Sequence, residues 1–335
     1  MVTPEQVTPA VLEIDCGKVA EEIRQGLQDA VFKQLKKKGA VIGVSGGIDS
    51  SVTAALCARA LGSDRVLVLF TPEGESAEDT LTLSRMVADA LGVEATLEDI
   101  SPILEAAGCY RRRDEAIRSV IPDYGPGWKS KLVLPSVVES DRYRIFSLVA
   151  VAPNGETVTT RLSPAAYLGV VAATNFKQRT RKMMEYYHAD RLNYAVAGTP
   201  NRLEYDQGFF VKGGDGLADF KPIAHLYKSQ VYQLAAHLGI PEEVRSRPPT
   251  TDTYSLPQGQ DEFYFSLSYD KMDLCLWAKN HGHPPESLSE ALQLKPEQIE
   301  RVYRDIDNKR RTTRYLQLKP LLVEDVEEIE TLLRA

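Results

Sequence analysis

The chain has no Cys-x-x-Cys pair: its four cysteines, Cys16, Cys57, Cys109 and Cys275, lie far apart, and none stands at a zinc-binding distance from a histidine. This excludes a disulfide framework and a structural zinc site, and predicts reduced, buried thiols in a cytoplasmic protein. No apolar run approaches ~18 residues and no charged-plus-apolar leader is present, so neither membrane insertion nor export is expected. Positive charge is not in excess either. With 40 Lys and Arg against 47 Asp and Glu, a net charge of -7 and a pI near 5.5, the chain lacks the basic footprint of a nucleic-acid partner. Neither a Walker loop ending in Gly-Lys-Ser/Thr nor a Gly-x-Gly-x-x-Gly fingerprint occurs. His225, His237, His281 and His283 show no triad or metal spacing, and no convincing Ser-His or Cys-His pair is evident. A nucleophilic side chain is therefore not expected to carry the chemistry.

What is present is a short apolar strand, a Ser-Gly-Gly turn and an Asp-Ser-Ser helix start, in Ala40-Val-Ile-Gly-Val-Ser45-Gly46-Gly47-Ile-Asp49-Ser50-Ser51. Glycines let the backbone approach an anion, and the following helix, expected over Asp49 to Leu61, offers unpaired N–H groups and the positive end of its dipole. That order predicts a pyrophosphate seat and a protein that works on ATP; the alternative is a dinucleotide fold that merely packs tightly at a Gly-Gly turn.

At 335 residues and 43% hydrophobic, the chain is long enough for a substantial core in one large or two modest domains, at ~150 residues per domain. Helical spacing over residues 17–38 ends in Lys36-Lys37-Lys38-Gly39. Strands are then expected at Arg65 to Phe70 and Val93 to Ile100, around a helix from Ser76 to Leu91. This strand and helix alternation predicts a parallel sheet whose ligands sit beyond the carboxyl ends of its strands. From Cys109 to Leu162 the texture changes, and we read an insertion. It contains Arg111-Arg112-Arg113, read as a solvated face with a phosphate clamp as the alternative, and a β-hairpin from Tyr143 to Val151 and Glu156 to Leu162 around Pro153-Asn154-Gly155. Helical periodicity resumes over Ser163 to Asp190, a strand follows at Tyr194 to Ala197, and a polar loop runs from Gly198 to Asp219. Further helices are expected at Leu226 to Leu238, Ser268 to Asn280, Ser287 to Leu292 and Pro296 to Asp307.

Asp49 at the mouth of the turn would repel a triphosphate unless a hard cation lay between, which asks for Mg²⁺; its other role is helix capping. Glu204, after the Tyr194 to Ala197 strand, is the best second ligand, against the alternative of a surface salt bridge. Lys228, at a helix start, is placed to neutralise charge on departing pyrophosphate. Arg179 and Arg181 are two positions apart on a helix, so at most one is expected to reach the nucleotide.

Jointly, these residues resemble the ammonia-dependent NAD synthetases of the N-type ATP pyrophosphatase superfamily. The resemblance rests on Ser45-Gly-Gly-Ile-Asp-Ser50, Asn175-Phe-Lys-Gln-Arg179-Thr-Arg181 with Tyr186, and Gly198-Thr199 through Glu204. It extends to Gly208-Phe-Phe-Val-Lys212-Gly-Gly-Asp215-Gly-Leu-Ala-Asp219, Pro222 to Lys228, Pro248-Pro249-Thr250-Thr-Asp252 and Gly259-Gln260-Asp261-Glu262. It implies an α/β, doubly wound, mainly parallel sheet of the adenine nucleotide alpha hydrolase-like type, with helices on both faces and the inserted hairpin. The implied domain plan is one catalytic domain over 1–335, with the insertion at 109–162 and a helical C-terminal segment at 263–335.

The implied reaction is adenylation of the nicotinic acid carboxylate of deamido-NAD by ATP, followed by displacement of AMP by ammonia. By resemblance, Ser45, Gly46, Gly47, Asp49, Ser50, Ser51, Arg179, Thr199, Lys228 and Thr250 contact ATP. Lys228, Asp49 and Arg179 are catalytic, and Asp49 and Glu204 hold Mg²⁺. Arg24, Tyr186, Lys212, Asp215, Asn308 and Lys309 face deamido-NAD. A homodimer is implied, with free ammonia or a separate glutaminase as nitrogen source. Asn308 stands where the family carries His, and Gln178 and Lys182 replace Ala and Met of its Ala-Arg-x-Arg-Met element. These departures fall on the acceptor half, and a related carboxylate is the alternative acceptor. A nucleotide sensor without turnover would not need Asp49, Glu204 and Lys228 together.

Overall fold

Alternate residues of the central strands are apolar on both faces, and the strands are covered on both sides by helices. The computed structural model describes residues 6–136, 138, 146–250 and 253–329. In chain order the elements are α1 (Cys16–Gln28), continued by a π-helical turn over Asp29–Gln34, β1 (Ala40–Gly43), α2 (Ile48–Leu61), β2 (Val66–Phe70), α3 (Glu78–Leu91) and β3 (Glu94–Leu97). Then come α4 (Ser101–Ala106), α5 (Cys109–Arg118), β4 (Lys129–Val133), β5 (Ser147–Val151), β6 (Thr157–Arg161), α6 (Pro164–Leu192) and β7 (Ala195–Val196). The remainder is helical: α7 (Arg202–Gln207), α8 (Lys228–His237), α9 (Glu242–Arg245), α10 (Tyr269–Asn280), α11 (Ser289–Leu292) and α12 (Pro296–Gln317).

Strands β3, β2, β1 and β7 form a parallel sheet in that spatial order. Ala40, Ile42, Val66, Val68 and Phe70 face one side and pack with apolar residues of α1, α2, α3 and α8. Val41, Leu67, Leu69 and Val196 face the other and meet Ala189 and Tyr186 of α6. Burial on both faces is what reads in sequence as an unbroken apolar run. The chain leaves β1 toward β2 on one side, while β7 lies on the other. Their carboxyl ends therefore diverge into a crevice, the usual ligand position in such sheets.

The 109–162 stretch is richer than a hairpin. Strands β4, β5 and β6 form an antiparallel sheet, with Val151 paired to Thr157 across the Pro153-Asn154-Gly155 turn. The Asn154 carboxamide accepts from the Glu156 N–H at 3.0 Å, the local bond that makes Asn-Gly a turn signal. The first hairpin strand begins at Ser147; its expected start at Tyr143 lies outside the described residues. The five-residue β4 was missed because only Ser130 and Leu132 of Lys129–Val133 point inward. The solvated reading of the arginine run is corrected at one position. Cys109, Arg113 and Ile117 fall on one buried face of α5, so Arg113 is turned in against Glu75 at 2.5 Å and Asp114 at 2.7 Å, while Arg111 and Arg112 stay exposed.

Helix α12 also outruns the expected end at Asp307. Its last turns are polar, and side-chain bonds, such as those of Arg310 to Asp206 at 2.6 and 2.7 Å, tether them rather than apolar periodicity.

The two turn glycines do different work. Gly46 has φ +66°, and a Cβ there would sit 2.7 Å from Leu83 Cβ and 3.1 Å from the Thr80 carbonyl oxygen, so it lets α3 pack on the turn. Gly47, the residue before α2, has φ −86° and room for a methyl group, whose nearest neighbour would be Ser45 Oγ at 3.4 Å. Gly46→Ala is expected to lower unfolding free energy by about 2 kcal/mol or more, and Gly47→Ala by less than about 1 kcal/mol. Urea denaturation of the pair checks this, and equal losses would contradict it.

Candidate active site

A cavity of about 500 Å³ opens at the crevice and is lined by Ser45, Gly47, Asp49 and Ser50 of the turn together with Thr199, Glu204, Lys228 and Thr250. Ser50 Oγ donates to the Gly47 carbonyl at 3.0 Å and accepts from the Ser45 N–H at 3.3 Å, which shapes the turn. Gly46 and Ser51 do not line the cavity. Ser51 is fully buried and bonds the Gly47 carbonyl at 2.8 Å.

The centre of the site is electrostatic. The buried Lys228 ammonium pairs with Asp49 Oδ2, and Asn201 Nδ2 donates to Asp49 Oδ1 at 3.0 Å. Asn201 also caps α7: its Oδ1 accepts from Leu203 N at 2.9 Å, and Glu204 returns the bond by accepting from Asn201 N at 3.1 Å. The Asn-x-x-Glu signature of this capping box could have identified Asn201 from sequence. Gln260 Nε2 completes the surroundings at 3.1 Å from Glu204 Oε1. Asp49 itself is not the cap of α2, whose N-cap is Gly47. Burial, and then the nearby charge of Asp49, push the Glu204 carboxyl up to about 8. Burial pulls Lys228 down, but Asp49 and Glu204 outweigh it and raise the ammonium to about 12. Two half-buried carboxyl groups, Asp49 and Glu204, share the one buried ammonium of Lys228, an arrangement that suits a hard divalent ion. Two protein carboxylates plus phosphate oxygens and water satisfy Mg²⁺.

Helix α6 crosses the cavity, and its side chains line it on more than one face. Both Arg179 and Arg181 line it, although they are two positions apart on the helix. Arg179 Nε donates to the Lys212 carbonyl at 3.2 Å and Arg181 Nε to the Thr71 carbonyl at 3.4 Å. Lys182, Glu185 and Asp215 form a polar part of the wall, with Lys182 bonded to Glu185 at 2.5 Å. A Cβ on Gly43 would meet Glu185 Oε1 at 2.8 Å, so this glycine admits the carboxylate beside the strand end. Burial raises both Glu185 and Asp215 above the usual carboxylate range. An aromatic end is built by Phe146, Tyr167, Tyr254 and Phe263, with Phe146 and Tyr167 stacked at 4.6 Å and Phe146 5.8 Å from Phe263.

The model of the family described as NAD synthase matches residues 19–119 and 140–315. The chain belongs to this family. It is 60% identical over 319 residues to the NH3-dependent NAD+ synthetase of Rhizobium meliloti (strain 1021), with 95% of each chain covered. It is 57% identical over 318 residues to that of Mesorhizobium japonicum, covering 95% of this chain and 100% of the other. Among solved structures, an NH3-dependent NAD synthetase from Campylobacter jejuni aligns with TM-score 0.60 at 24% identity, over 93% of this chain and 100% of that one. NMN synthetase from Francisella tularensis aligns with TM-score 0.64 at 21% identity over the same shares. At these identities the likeness speaks for the fold alone.

Of the positions expected at ATP, all but Gly46 and Ser51 line this one cavity, whereas those expected at the acceptor are split. Lys212 and Asp215 line the cavity. Lys309 sits one layer behind it, bonded to the Tyr264 carbonyl at 2.7 Å and to Asp305 at 2.7 Å. Tyr186 bonds Asp219 at 3.1 Å, Arg24 pairs with Glu21 at 2.7 Å on its own helix, and the exposed Asn308 accepts from Arg311 at 2.9 Å; none of these three lines the cavity. The unmatched interval 120–139 contains β4.

Asp273 of α10 was not singled out from sequence, yet it places Lys228. Its two oxygens accept from the Lys228 N–H at 3.1 Å and the Ser229 N–H at 2.6 Å, holding the start of α8. Burial raises its carboxyl to about 7, against backbone bonds that lower it. The folded protein therefore keeps a proton that the unfolded chain has lost between roughly pH 4 and 7, and this group's contribution to stability falls as pH rises through that window. In Asp273→Asn that dependence should vanish, so the stability difference between wild type and variant should move in the variant's favour from pH 4 to 7 and then level off. Denaturation across pH measures it, and a constant difference would refute it.

Proposed function

We propose that the chain is a ligase that makes NAD: ATP adenylates the carboxylate of deamido-NAD, pyrophosphate leaves, and ammonia displaces AMP to form the amide. Family membership, with relatives at 57–60% identity named NH3-dependent NAD+ synthetases, supports the reaction. The carrying observation within the site is the group of Asp49, Glu204 and the buried Lys228 at the mouth of the Ser45–Ser50 turn. A carboxylate is a poor electrophile, and the adenylate gives it a good leaving group. The turn and the N-terminus of α2 receive the phosphates, as helix N-termini do for anions. Arg179, Arg181 and Lys228 offset charge that builds on the departing pyrophosphate, and a site preorganised for that charge lowers the barrier directly. Asp49 and Glu204 would hold Mg²⁺, which when bound supplies further neutralisation of the phosphates. Positioning two reactants in one crevice contributes effective molarities that reach ~10⁵ to 10⁸ M, so no covalent side-chain intermediate is required.

The acceptor is assigned to the side of Lys212 and Asp215. A homodimer is the accompanying proposal. It is supported by Arg24, Tyr186 and Asn308 lying outside this cavity and by Leu168, Met183 and Tyr187, which are 62%, 52% and 58% exposed along α6. Among the described residues no helix is long and apolar enough to cross a membrane. A cytoplasmic site of action, a single catalytic domain, and free ammonia or a separate glutaminase as nitrogen source complete the reading.

Incubation with ATP, magnesium, ammonium and deamido-NAD should yield NAD, AMP and pyrophosphate in equal amounts. ADP as product, or amidation only of another acid from a carboxylate panel, would overturn the assignment. Lys228→Met should lower kcat on the order of 10²-fold or more in protein whose circular dichroism is native, and near-normal turnover would remove Lys228 from the mechanism.

A further inference from the structure

Outside the cavity, the least exposed charged group on α6 is Lys177, whose side chain is 1% exposed. Its ammonium has three N–H donors and meets three oxygens: Glu73 at 2.9 Å, Glu75 at 2.7 Å and the Thr253 carbonyl at 3.0 Å. The second oxygen of Glu73 accepts from the Tyr110 hydroxyl at 2.7 Å, and that of Glu75 from Arg113 at 2.5 Å. With Asp114, which also accepts from Arg113 at 2.7 Å, three carboxylates surround two cations, and each oxygen of Glu73 and Glu75 has a donor. The cluster is therefore complete in itself and is not a ligand site.

Buried ion pairs are weak evidence for stability, because desolvation offsets much of their attraction. What this one does is joinery. Thr71, Pro72 and Ser76, which flank Glu73 and Glu75, line the cavity, as do Thr253 and Tyr254. Asn175 and Gln178 of α6 line it too, while Lys177 between them points away and bonds the backs of both walls. Glu73 and Glu75 suffice to neutralise the ammonium with Arg113 nearby. The third bond, to a neutral carbonyl, links a separate chain segment. At the other end of that segment Arg247 bonds Asp79 at 3.0 Å, Thr80 at 3.1 Å and the Ser45 carbonyl at 3.3 Å, a further attachment of this wall.

We propose that Lys177 is a positioning residue for ATP: from behind the cavity it sets the separation of the wall after β2 and the wall at Thr253–Tyr254. This rests on the assignment of the cavity to ATP. Lys177→Met alone leaves Glu73, Glu75 and Asp114 against one arginine and is expected to unfold at markedly lower temperature. The deciding variant is Lys177→Met/Glu73→Gln, which keeps the net charge of the wild-type cluster without the tie. Its Tm should return close to wild type, while its Kd for ATP by calorimetry rises on the order of 10-fold, as expected when binding must order a loosened wall. The KM for the acceptor and kcat at saturating ATP should stay within about threefold of wild type. A refolded double variant that binds ATP as tightly as wild type overturns the proposal, as does a loss shared equally between both substrates. If the double variant does not fold, Glu75→Gln decides: roughly threefold weaker ATP binding supports the proposal and an unchanged Kd overturns it. Wild-type protein that binds no ATP would overturn the assignment of the cavity itself, and this inference with it.

Discussion

The pairing of one buried ammonium, Lys228, with Asp49 beside a second carboxyl group, Glu204, is the constraint on which the site is organised. Charges out of water need partners, and these partners come from three places in the chain: the start of α2, the start of α7 and the start of α8. They can meet only because β1 and β7 are adjacent and their outgoing segments part at the carboxyl end of the sheet. A nucleotide polyanion entering there meets N–H groups, arginines and an acid pair short of positive charge.

Around that centre, further residues set its geometry. Asp273 holds the backbone of Lys228, and Asn201 joins Asp49 to the α7 cap. Gly46 lets α3 close on the turn, and Gly43 admits Glu185 beside β1. Each is a short polar bond or a missing methyl group, and the rigid sheet converts them into the position of a reacting group. Lys177 belongs to the same class on a larger scale, since its bonds run between the backs of cavity walls.

The 109–162 stretch is tied to this centre in two ways. Ile117, Leu132, Leu148, Val170 and Tyr254 share an apolar cluster, and Phe146 from the segment before β5 reaches the cavity. Arg113 and Tyr110 of α5 bond the carboxylates that Lys177 also holds. Packing and charge thus fix this stretch to the nucleotide crevice rather than leaving it as a surface appendage.

The strand, turn and helix of Ala40–Leu61 were legible in sequence because their causes are local: a short apolar run, a glycine with positive φ and a helix N-terminus within a few residues of one another. Helix periods and the Asn-Gly hairpin were legible for the same reason. Partners from distant parts of the chain were not, since a period places a side chain on a face without saying what that face meets. The arginine run shows this: i, i+4 spacing with Cys109 and Ile117 turned Arg113 inward, and its carboxylate partner, Glu75, comes from another element. Arg179 and Arg181 show it again, because only the shape of the crevice around α6 brings both to one space. Sequence by itself determined the parallel α/β plan and the phosphate turn. The tertiary structure alone decided which charges are buried together, because pairing energy depends on distance and dielectric, and neither exists until the chain is folded.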